Sequence, residues 1–502
     1  MKPYWSSREL RSLILRLKKN EQTLLNNIQQ FFEKCQGAFK QQRSWERAKR
    51  IILSQLVCLG RHTVTGLICT SGHQFNDWSA DYRLLSSERF DEEIIFQMVL
   101  QELAKQLSPG DPFVAAMDDS ILKKRGNKTP GVAWHRDPTG PPFHLNLIRG
   151  QRILQISAAV PSGTGAARMI PIDFVQAPKP KKPRPKASIQ LWEEYKEMKH
   201  KLNIAKVGAE RVCKLRNQLD QHEETKNRDL WMVVDGRFTN KRLIRNLPER
   251  TVLIGRIRGD AKLYHPPTKT DQSQSAGRRK SYGQRAPTPE ELRKDDKVPW
   301  QTVPVFATGK LHNFKVKTMK PLLWRTAGAD RPLLLIVIAP LAYKLRKNSR
   351  SLYRKPAYLI CTNPDLPLEK IIQAYIWRWD IEVNLRDEKQ LIGVGQAQVH
   401  SKSSVEKAPA LAVAAYSILL LAAHNTYPSS TFNGAIPPPK WRQETRKDRP
   451  STQDLINHVR FELWGQAMSK TNFSDFMSQP THDIKPEKSL PNLASATIYA
   501  VS

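Results

Sequence analysis

Four polar residues of the segment YIWRWDIEVNLRDEKQ have a spacing that places them on one face of a helix. They are Tyr375, Arg378, Glu382 and Lys389, at offsets of 0, 3, 7 and 14 residues. At about 100° per residue, an α-helix brings these side chains into a sector of roughly 60°. Such a face offers an aromatic ring, two cations and one carboxylate, which suits a divalent metal held beside a phosphate backbone. A solvent-exposed, salt-bridged helix is the alternative, and it is the commoner outcome for an arbitrary charged helix.

Two apolar runs upstream of this helix lead into aspartates. PFVAAMDDS leads to Asp118 and Asp119, and DLWMVVDGR leads to Asp235. Each run is short and bounded by turn-forming residues, which is typical of a buried strand. Carboxylates from neighbouring core strands, joined by one from a helix, can hold two Mg²⁺ ions about 4 Å apart for an in-line phosphoryl displacement. Aspartate is also a common turn starter, so the three elements are informative only together.

With these motifs in this order, the chain resembles the DDE transposases of bacterial-type insertion sequences. The resemblance is to the group with a Tyr-x-x-Arg-x-x-x-Glu-x-x-x-x-x-x-Lys signature, which YIWRWDIEVNLRDEK matches at all four positions. It covers residues from about 113 to 424. It implies a ribonuclease-H-like catalytic domain in a mixed α/β chain, with a β-rich insertion before the last acid and an all-helical N-terminal domain.

The same resemblance implies that Asp119, Asp235 and Glu382 are the catalytic acids and the metal ligands. The cofactor would be two Mg²⁺ ions, with Mn²⁺ as a substitute. Asp119 is preferred because the first aspartate of the family usually precedes Ser or Thr, and Ser120 follows it. Asp118 remains open as the alternative, because strand alternation points the two neighbouring side chains to opposite faces.

Further roles also follow from the resemblance. Arg378 and Lys389 are expected to bind phosphates flanking the cut, and Tyr375 to contact the same backbone or a displaced base. Arg386 and Trp379 lie just beyond the edge of this face and are secondary candidates. The reaction would release a 3′-OH at the element's end, which attacks the opposite strand to give a hairpin, and a homodimer would hold two ends together.

The composition independently predicts a nucleic-acid partner. The chain has 81 Lys and Arg against 47 Asp and Glu, a net charge of +34. Such an excess is typical of proteins that bind a phosphate backbone, here double-stranded DNA of the terminal repeats and the target. No membrane is expected, because the most apolar window, 408–423, is shorter than the roughly 20 residues of a span and suits a buried helix. The sequence contains no Gly-rich phosphate loop, so no nucleotide cofactor is expected.

Five scattered cysteines, none in a CxxC pair, predict a reducing compartment and no structural zinc site. The N-terminus lacks the apolar core of a secretion signal, so a cytoplasmic, nucleoid-associated protein is expected. Two tryptophans of the insertion, Trp300 and Trp324, could stack on a flipped base, although a core position is the commoner role for such residues. A catalytically silent DNA-binding protein and a general nuclease of the same fold are the competing functions.

The chain is long enough for several domains. Its second helical segment, around 44–72, could be a helix-turn-helix or part of a packing bundle, with neither favoured. A Pro/Lys linker at 177–188 precedes a long polar helix, and the residues between about 269 and 297 suggest a mobile, basic loop. The predicted units are a helical, DNA-end-binding region (1–108), the first catalytic part (109–257), the β-rich insertion (258–366), the last catalytic and packing helices (367–430) and a C-terminal helix with a loose tail (431–502).

Overall fold

A computed structural model of the chain describes residues 23–126, 128–137, 140–141, 143, 145–163, 165–268, 280–328, 331–344, 349–427, 449–470 and 491–500, without the side chains of 466–470. The basic loop predicted in the insertion falls in part on 269–279, and the loose tail on 471–490, outside these described residues. The helices are α1 (Leu24–Lys34), α2 (Gln42–Val57), α3 (Val64–Thr70), α4 (Ser79–Ser86), α5 (Glu92–Ala104), α6 (Ile189–Lys201), α7 (Ile204–Asp220), α8 (Lys241–Arg245), α9 (Pro289–Lys294), α10 (Leu368–Gln390), α11 (Lys402–Thr426), α12 (Thr452–Lys470) and α13 (Leu493–Ile498).

Ten strands form one central sheet, and two short strands form a separate pair. The strands are β1 (Phe113–Lys123), β2 (Val132–Arg136), β3 (Leu147–Pro161), β4 (Ala167–Gln176), β5 (Leu230–Val234), β6 (Thr251–Arg256), β7 (Gln301–Ala307), β8 (Lys310–Leu322), β9 (Leu333–Ile338), β10 (Ala342–Tyr343), β11 (Leu352–Tyr353) and β12 (Ala357–Cys361). The order in the large sheet is β2-β3-β1-β5-β6-β12-β9-β8-β7, and β4 also pairs with β3.

The core of the sheet has the ribonuclease-H-like arrangement. β4, β3 and β1 pair antiparallel, and β5 and β6 then pair parallel to β1. The remaining large-sheet strands from the insertion extend the same sheet beyond β6, through the antiparallel pair of β6 and β12. The predicted fold class, a mixed α/β chain with a helical N-terminal region, is therefore confirmed.

Helices cover the two faces of the sheet differently. On one face, Val114 and Ala116 of β1 pack in a cluster with Ile372 and Ile381 of α10. On the other face, Phe113, Ala115 and Met117 of β1 belong to the cluster that also contains α7, α11 and the N-terminal helices. The strand alternation of β1 thus decides which of its side chains α10 can meet.

Several local predictions needed correction. β1 continues through Asp118 and Asp119 instead of ending there, because its antiparallel partner β3 pairs with it as far as Lys123. β4, which pairs with β3, is a strand that the sequence did not reveal. The helix predicted across 189–226 is two helices, α6 and α7, because Asn203 caps a new helix.

The apolar window at 408–423 is a core helix, as predicted. It lies within α11, the single described helix that is long and apolar enough to cross a membrane, and 89% of that helix's most apolar window is buried in the protein. All five cysteines are free thiols.

The region around 44–72 resembles a packing bundle more than an exposed recognition helix. α3 has seven residues, five of which are buried. α13 covers it: the backbone N–H of Asn492 donates to the carbonyl of Thr70 at 3.0 Å, and Ser495 Oγ donates to the carbonyl of Cys69 at 2.6 Å. A helix held in this way has little surface left for a DNA groove.

Candidate active site

The strand register brings Asp118 and Asp235 next to each other. β1 and β5 are parallel neighbours whose last paired residues are Met117 and Val234, so each aspartate follows directly on adjacent strands. Parallel neighbours lie about 4.8 Å apart, which keeps the two carboxylates close. Alternation along both strands points Asp118 and Asp235 to the α10 face, because Ala116 and Val233 already lie in the cluster on that face.

α10 is pinned along its length, which fixes the third acid. Its Gln373 exchanges two hydrogen bonds with the backbone of Phe306 in β7, at 2.9 and 3.0 Å. Asp380 accepts a bond from the backbone N–H of Met169 at 3.0 Å, and Asn384 donates to the Met169 carbonyl at 3.1 Å. These side chains lie on one side of the helix, so Glu382 is on the opposite side, where it accepts a bond from Arg378.

Arg378 connects the acids on this face. Its Nη2 donates to Glu382 Oε1 at 3.0 Å, and its Nη1 lies 4.0 Å from Asp118 Oδ2. The Arg378 side chain is only 9% exposed, against 18% for Asp118 and 36% for Glu382. Its guanidinium lies 5.6 Å from the centre of the Tyr375 ring. Within the described structure its Nε and Nη1 have no hydrogen-bond partner, so this buried cation still has donors to offer.

The electrostatics of Asp118 are those of a crowded acidic site. Burial, reinforced by the negative charge of Asp235, raises the pKa of Asp118 to about 7, although Arg378 and the backbone N–H of Asp119 act in the opposite direction. Two carboxylates that share a buried site resist being ionised together, and a cation bound between them would relieve this repulsion. Asp235 accepts the backbone N–H groups of Arg237 and Phe238 at 2.9 and 3.2 Å through its Oδ1, which orients its side chain.

Asp119, which the sequence favoured as the first acid, is not brought together with Glu382. Its side chain turns to the opposite face of β1, where both of its oxygens accept bonds from Arg237 Nη1 at 2.7 Å. Arg152 lies close enough to act on its pKa, which burial nevertheless raises. The physical reason is strand alternation: β1 runs on through both aspartates, so only one of them can face α10. The alternative residue Asp118 occupies that position.

Lys389 lies at the site, whereas the two secondary candidates next to the predicted face, Trp379 and Arg386, form no hydrogen bond or ion pair with the acids in the described structure. Lys389 donates through Nζ to Ser120 Oγ, which places it beside β1 on the Asp118 face, and burial lowers its pKa. Trp379 is 62% exposed on α10. Arg386 binds the neighbouring Asp387 at 2.9 and 3.0 Å and is therefore engaged within its own helix.

A buried carboxylate beneath the site did not emerge from the sequence. Glu388 lies inside the protein and accepts a bond from Gln155 Nε2 at 2.9 Å. Burial raises the pKa of Glu388 to about 8. Gln155 is the register partner of Asp118 on β3, so this buried pair lies under the Asp118 face. The sequence could have indicated this burial, because Glu388 lies on a helix that must pack on the sheet. Its charged neighbours in the segment RDEKQ instead suggested an exposed position.

The N-terminal helices hold the loop that follows α10. Gln55 of α2 donates to the Ile392 carbonyl, and the backbone N–H of His62 donates to Gln396 Oε1 at 2.9 Å. Directly after β1, Lys124 donates through Nζ to the carbonyls of Gly395 and Ala397 at 2.6 and 2.9 Å. This loop thus fixes the C-terminal end of α10, where Lys389 lies.

The donor set suits a divalent cation of the Mg²⁺ type. Asp118, Asp235 and Glu382 supply carboxylate oxygens, the ligands that hard cations prefer, and burial together with the neighbouring Asp235 raises the pKa of Asp118. Among the described residues, no three acidic, histidine or cysteine side chains stand close enough together to bind a metal ion as placed. Glu382 accepts a hydrogen bond from Arg378 in this arrangement, so it would have to leave Arg378 to reach a metal ion at the two aspartates.

The two tryptophans considered for base stacking pack against the core instead of standing free. Trp300 and Trp324 are partly buried and contact the large apolar cluster. Lys317 Nζ lies 4.6 Å from the centre of the Trp300 ring. Both positions suit the structural role that was the commoner expectation for these residues.

Comparison with known proteins identifies the family of the chain. A family model described as DDE superfamily endonuclease matches residues 32–329, more than half of the chain. The match includes the N-terminal helices from α2 onwards, β1 and β5, and it stops before α10. No curated protein matches the chain. DDE superfamily endonucleases act on DNA and use divalent metals, and the chain belongs to this family.

Proposed function

We propose that the chain is a DDE transposase, which binds the ends of its own DNA element and cuts and joins DNA strands with the help of divalent metal. The observation that carries this proposal is the pair of Asp118 and Asp235 where the parallel pairing of adjacent strands ends, with Glu382 linked to Asp118 through Arg378. Asp118 and Glu382 share one buried arginine, and Asp235 adds a third negative charge beside Asp118, which is unfavourable unless cations enter the site.

In this proposal Asp118 replaces Asp119 as the first acid. Asp118 faces Asp235, Arg378 and α10, whereas Asp119 is neutralised by Arg237 on the other face. Asp118, Asp235 and Glu382 would hold the metal ions, once Glu382 has left Arg378. Two divalent ions at these oxygens would polarise the attacking and leaving oxygens of a phosphodiester.

Residues of α10 orient the DNA strand around these acids. When Glu382 turns to the metals, Arg378 gains free donors in addition to its Nε and Nη1, and a phosphate oxygen is their natural acceptor. Lys389 is held beside Ser120 and adds a second cation on the same face. Tyr375 lies under the Arg378 guanidinium and limits its movement. The net charge of +34 attracts DNA from any direction, while these fixed side chains position one strand.

Strand transfer, a hairpin intermediate and a homodimer that joins two ends complete the proposed cycle. Hydrolysis at the element's end would release a 3′-OH, and that hydroxyl would attack the opposite strand. The resemblance of the signature helix supports these steps. A protein that acts on genomic DNA would work in the nucleoid of the cytoplasm.

Cleavage of defined DNA tests the proposal. Purified protein is mixed with a duplex that carries the inverted repeats flanking its own gene, and with a random duplex of equal length, in Mg²⁺, Mn²⁺ or EDTA. The expected result is metal-dependent nicking at the repeat boundary only. Equal cutting of both duplexes would point to a general nuclease, and selective binding without cutting in either metal would point to a catalytically silent DNA-binding protein. Either outcome overturns the proposal.

A further inference from the structure

α6 exposes several apolar side chains in the described part of the chain. It follows the Pro/Lys linker, and none of its 13 residues is buried. Ile189, Leu191 and Met198 are 79%, 50% and 44% exposed. Trp192 and Tyr195 contact each other edge to face, with ring centres 5.9 Å apart. A cluster of exposed apolar groups of this kind marks an interaction surface.

The apolar residues of α6 are spaced like the seam of a two-helix coiled coil. Leu191, Tyr195, Met198 and Leu202 follow one another at intervals of 4, 3 and 4 residues. At about 100° per residue they fall within a stripe roughly 60° wide. This spacing repeats every seven residues, as in the core positions of paired helices. The stripe therefore fits another helix better than a flat surface.

The charges of α6 distinguish it from the rest of the chain. It carries three glutamates, at 193, 194 and 197, and three lysines, at 196, 199 and 201. Its net charge is zero with His200 neutral, whereas the chain as a whole carries +34. None of these six residues forms an ion pair within the described part of the chain. A neutral surface is not attracted to DNA or to an acidic membrane, so its partner is a protein.

We infer that α6 pairs antiparallel with α6 of a second copy of this chain. In that orientation Leu191 meets Leu202 of the second copy, and Tyr195 meets Met198 of the second copy. Glu194 and Lys201 lie on the same side of the stripe. The two-fold axis therefore places Glu194 of each copy opposite Lys201 of the other, which gives two ion pairs.

A parallel pairing is disfavoured by charge. It would place the two linkers side by side, each with five cations between Lys179 and Lys186. The antiparallel pair keeps the linkers at opposite ends and leaves no like charges opposite each other.

The paired helices are short, so their contact is small. Stable dimers bury about 1,200–2,000 Å² of surface, and two 13-residue helices bury much less. The contact is therefore weak between free chains and strong when DNA holds two chains close. The inference rests on the proposed function only because a dimer would join two DNA ends. Dimerisation itself can be measured without DNA or metal.

Charge reversal across the pair tests the inference by sedimentation velocity of the full chain at rising concentration. Glu194→Lys and Lys201→Glu should each raise the dimer dissociation constant about 5- to 10-fold, because each loses two attractive contacts. The double variant Glu194→Lys/Lys201→Glu should restore it, since the charges are exchanged but still opposite. Met198→Glu should abolish the dimer. Glu193→Lys, on the outer side of the helix, is the matched control and should change nothing.

Three results would overturn the inference. They are a chain that stays monomeric at every concentration, a double variant no better than the single ones, and a control variant as damaging as Glu194→Lys. Thermal unfolding of each variant shows whether the chain remains folded. DNA cleavage at a single end does not enter this measurement, so a failure here leaves the proposed catalytic function untouched, and the reverse also holds.

Discussion

Two adjacent aspartates of one strand have opposite surroundings. Asp118 faces Asp235, Arg378 and α10, and its pKa is raised to about 7 by burial and by its acidic neighbour. Asp119 faces Arg237, which satisfies both of its carboxylate oxygens. One carboxylate therefore lies beside a second acid with an arginine 4.0 Å away, and the other is bonded directly to an arginine. The difference suggests that a catalytic metal site is recognised by an unmet electrostatic need, and that a well-paired acid next to it is structural.

The first prediction tests this difference directly, and its expected effect is the largest. Asp118→Asn should lower metal-dependent cleavage at least about 10³-fold, because an amide cannot replace the charge that a divalent ion requires. Asp119→Asn should stay within about 10-fold of the wild type. Cleavage of the terminal-repeat duplex under single-turnover conditions measures both.

A second readout makes the comparison independent of DNA. Added Mn²⁺ should raise the melting temperature of the wild type and of Asp119→Asn. It should raise the melting temperature of Asp118→Asn much less, because bound metal stabilises only a chain that can ligate it. If Asp119→Asn is the inactive variant and Asp118→Asn still cuts, the assignment of the two faces is reversed.

The second prediction concerns the helix that completes the Asp118 side. Glu382→Gln should abolish cleavage, by about 10³-fold or more, while end-DNA binding changes less than about 3-fold. Glutamine keeps the size and can still accept the bond from Arg378, so α10 should remain in place. Electrophoretic mobility shift measures the binding.

Two outcomes would count against a metal role for Glu382. Undiminished cleavage by the Gln variant would remove this residue from the ligand set. Loss of both cleavage and DNA binding would mean that the side chain supports the structure of α10. Glu369→Gln, at the exposed first turn of the same helix, is the matched control.

The Asp118–Asp119 comparison also separates what the sequence could predict from what it could not. The helical face of α10 was predictable, because helical spacing alone brings Arg378 and Glu382 together. The choice between the aspartates was not, since an apolar run fixes two faces but not which one a distant helix will cover. That required the packing of Val114 and Ala116 against α10.

Burial of charged residues was the second feature beyond the sequence. Glu388 and Arg378 both stand in a segment of charged residues that looks exposed, and both are buried. Nothing in their spacing shows that Gln155, more than 200 residues earlier, supplies a partner for one of them. Long-range pairing of this kind depends on the sheet register, which local patterns do not determine.

The third prediction tests whether Arg378 and Lys389, on the Asp118 face, position the DNA strand or only attract DNA. Arg378→Ala and Lys389→Ala should each lower the cleavage rate about 10- to 100-fold, more than they weaken DNA binding, because they orient the strand at the acids. Each should change the slope of log affinity against log salt by no more than about one unit. Parallel cleavage and salt-titration measurements provide both values.

The matched control is a cation in the basic segment of the insertion. Lys280→Ala should cause only a mild loss of affinity, since many other cations remain in a chain of net charge +34. Arg278, an equivalent choice by sequence, lies outside the described residues. If Arg378→Ala and Lys389→Ala behave like Lys280→Ala in both assays, the shared helical face has no catalytic meaning.

The last and smallest effect concerns Glu388, beneath Asp118. Its pKa of about 8 in the folded chain is above the value of roughly 4.3 for an unfolded glutamate, so the folded state keeps a proton that the unfolded state releases. Between these two pKa values stability must fall as the pH rises, because the folded state binds more protons. Glu388→Gln removes this titration, and its stability relative to wild type should increase by roughly 1–3 kcal/mol from pH 5 to pH 8. Urea unfolding at both pH values measures it, with Glu369→Gln expected to show no such trend. A pH-independent difference between Glu388→Gln and wild type would mean that Glu388 is ionised in the folded chain, and that the Asp118 side carries one more negative charge than this structure implies.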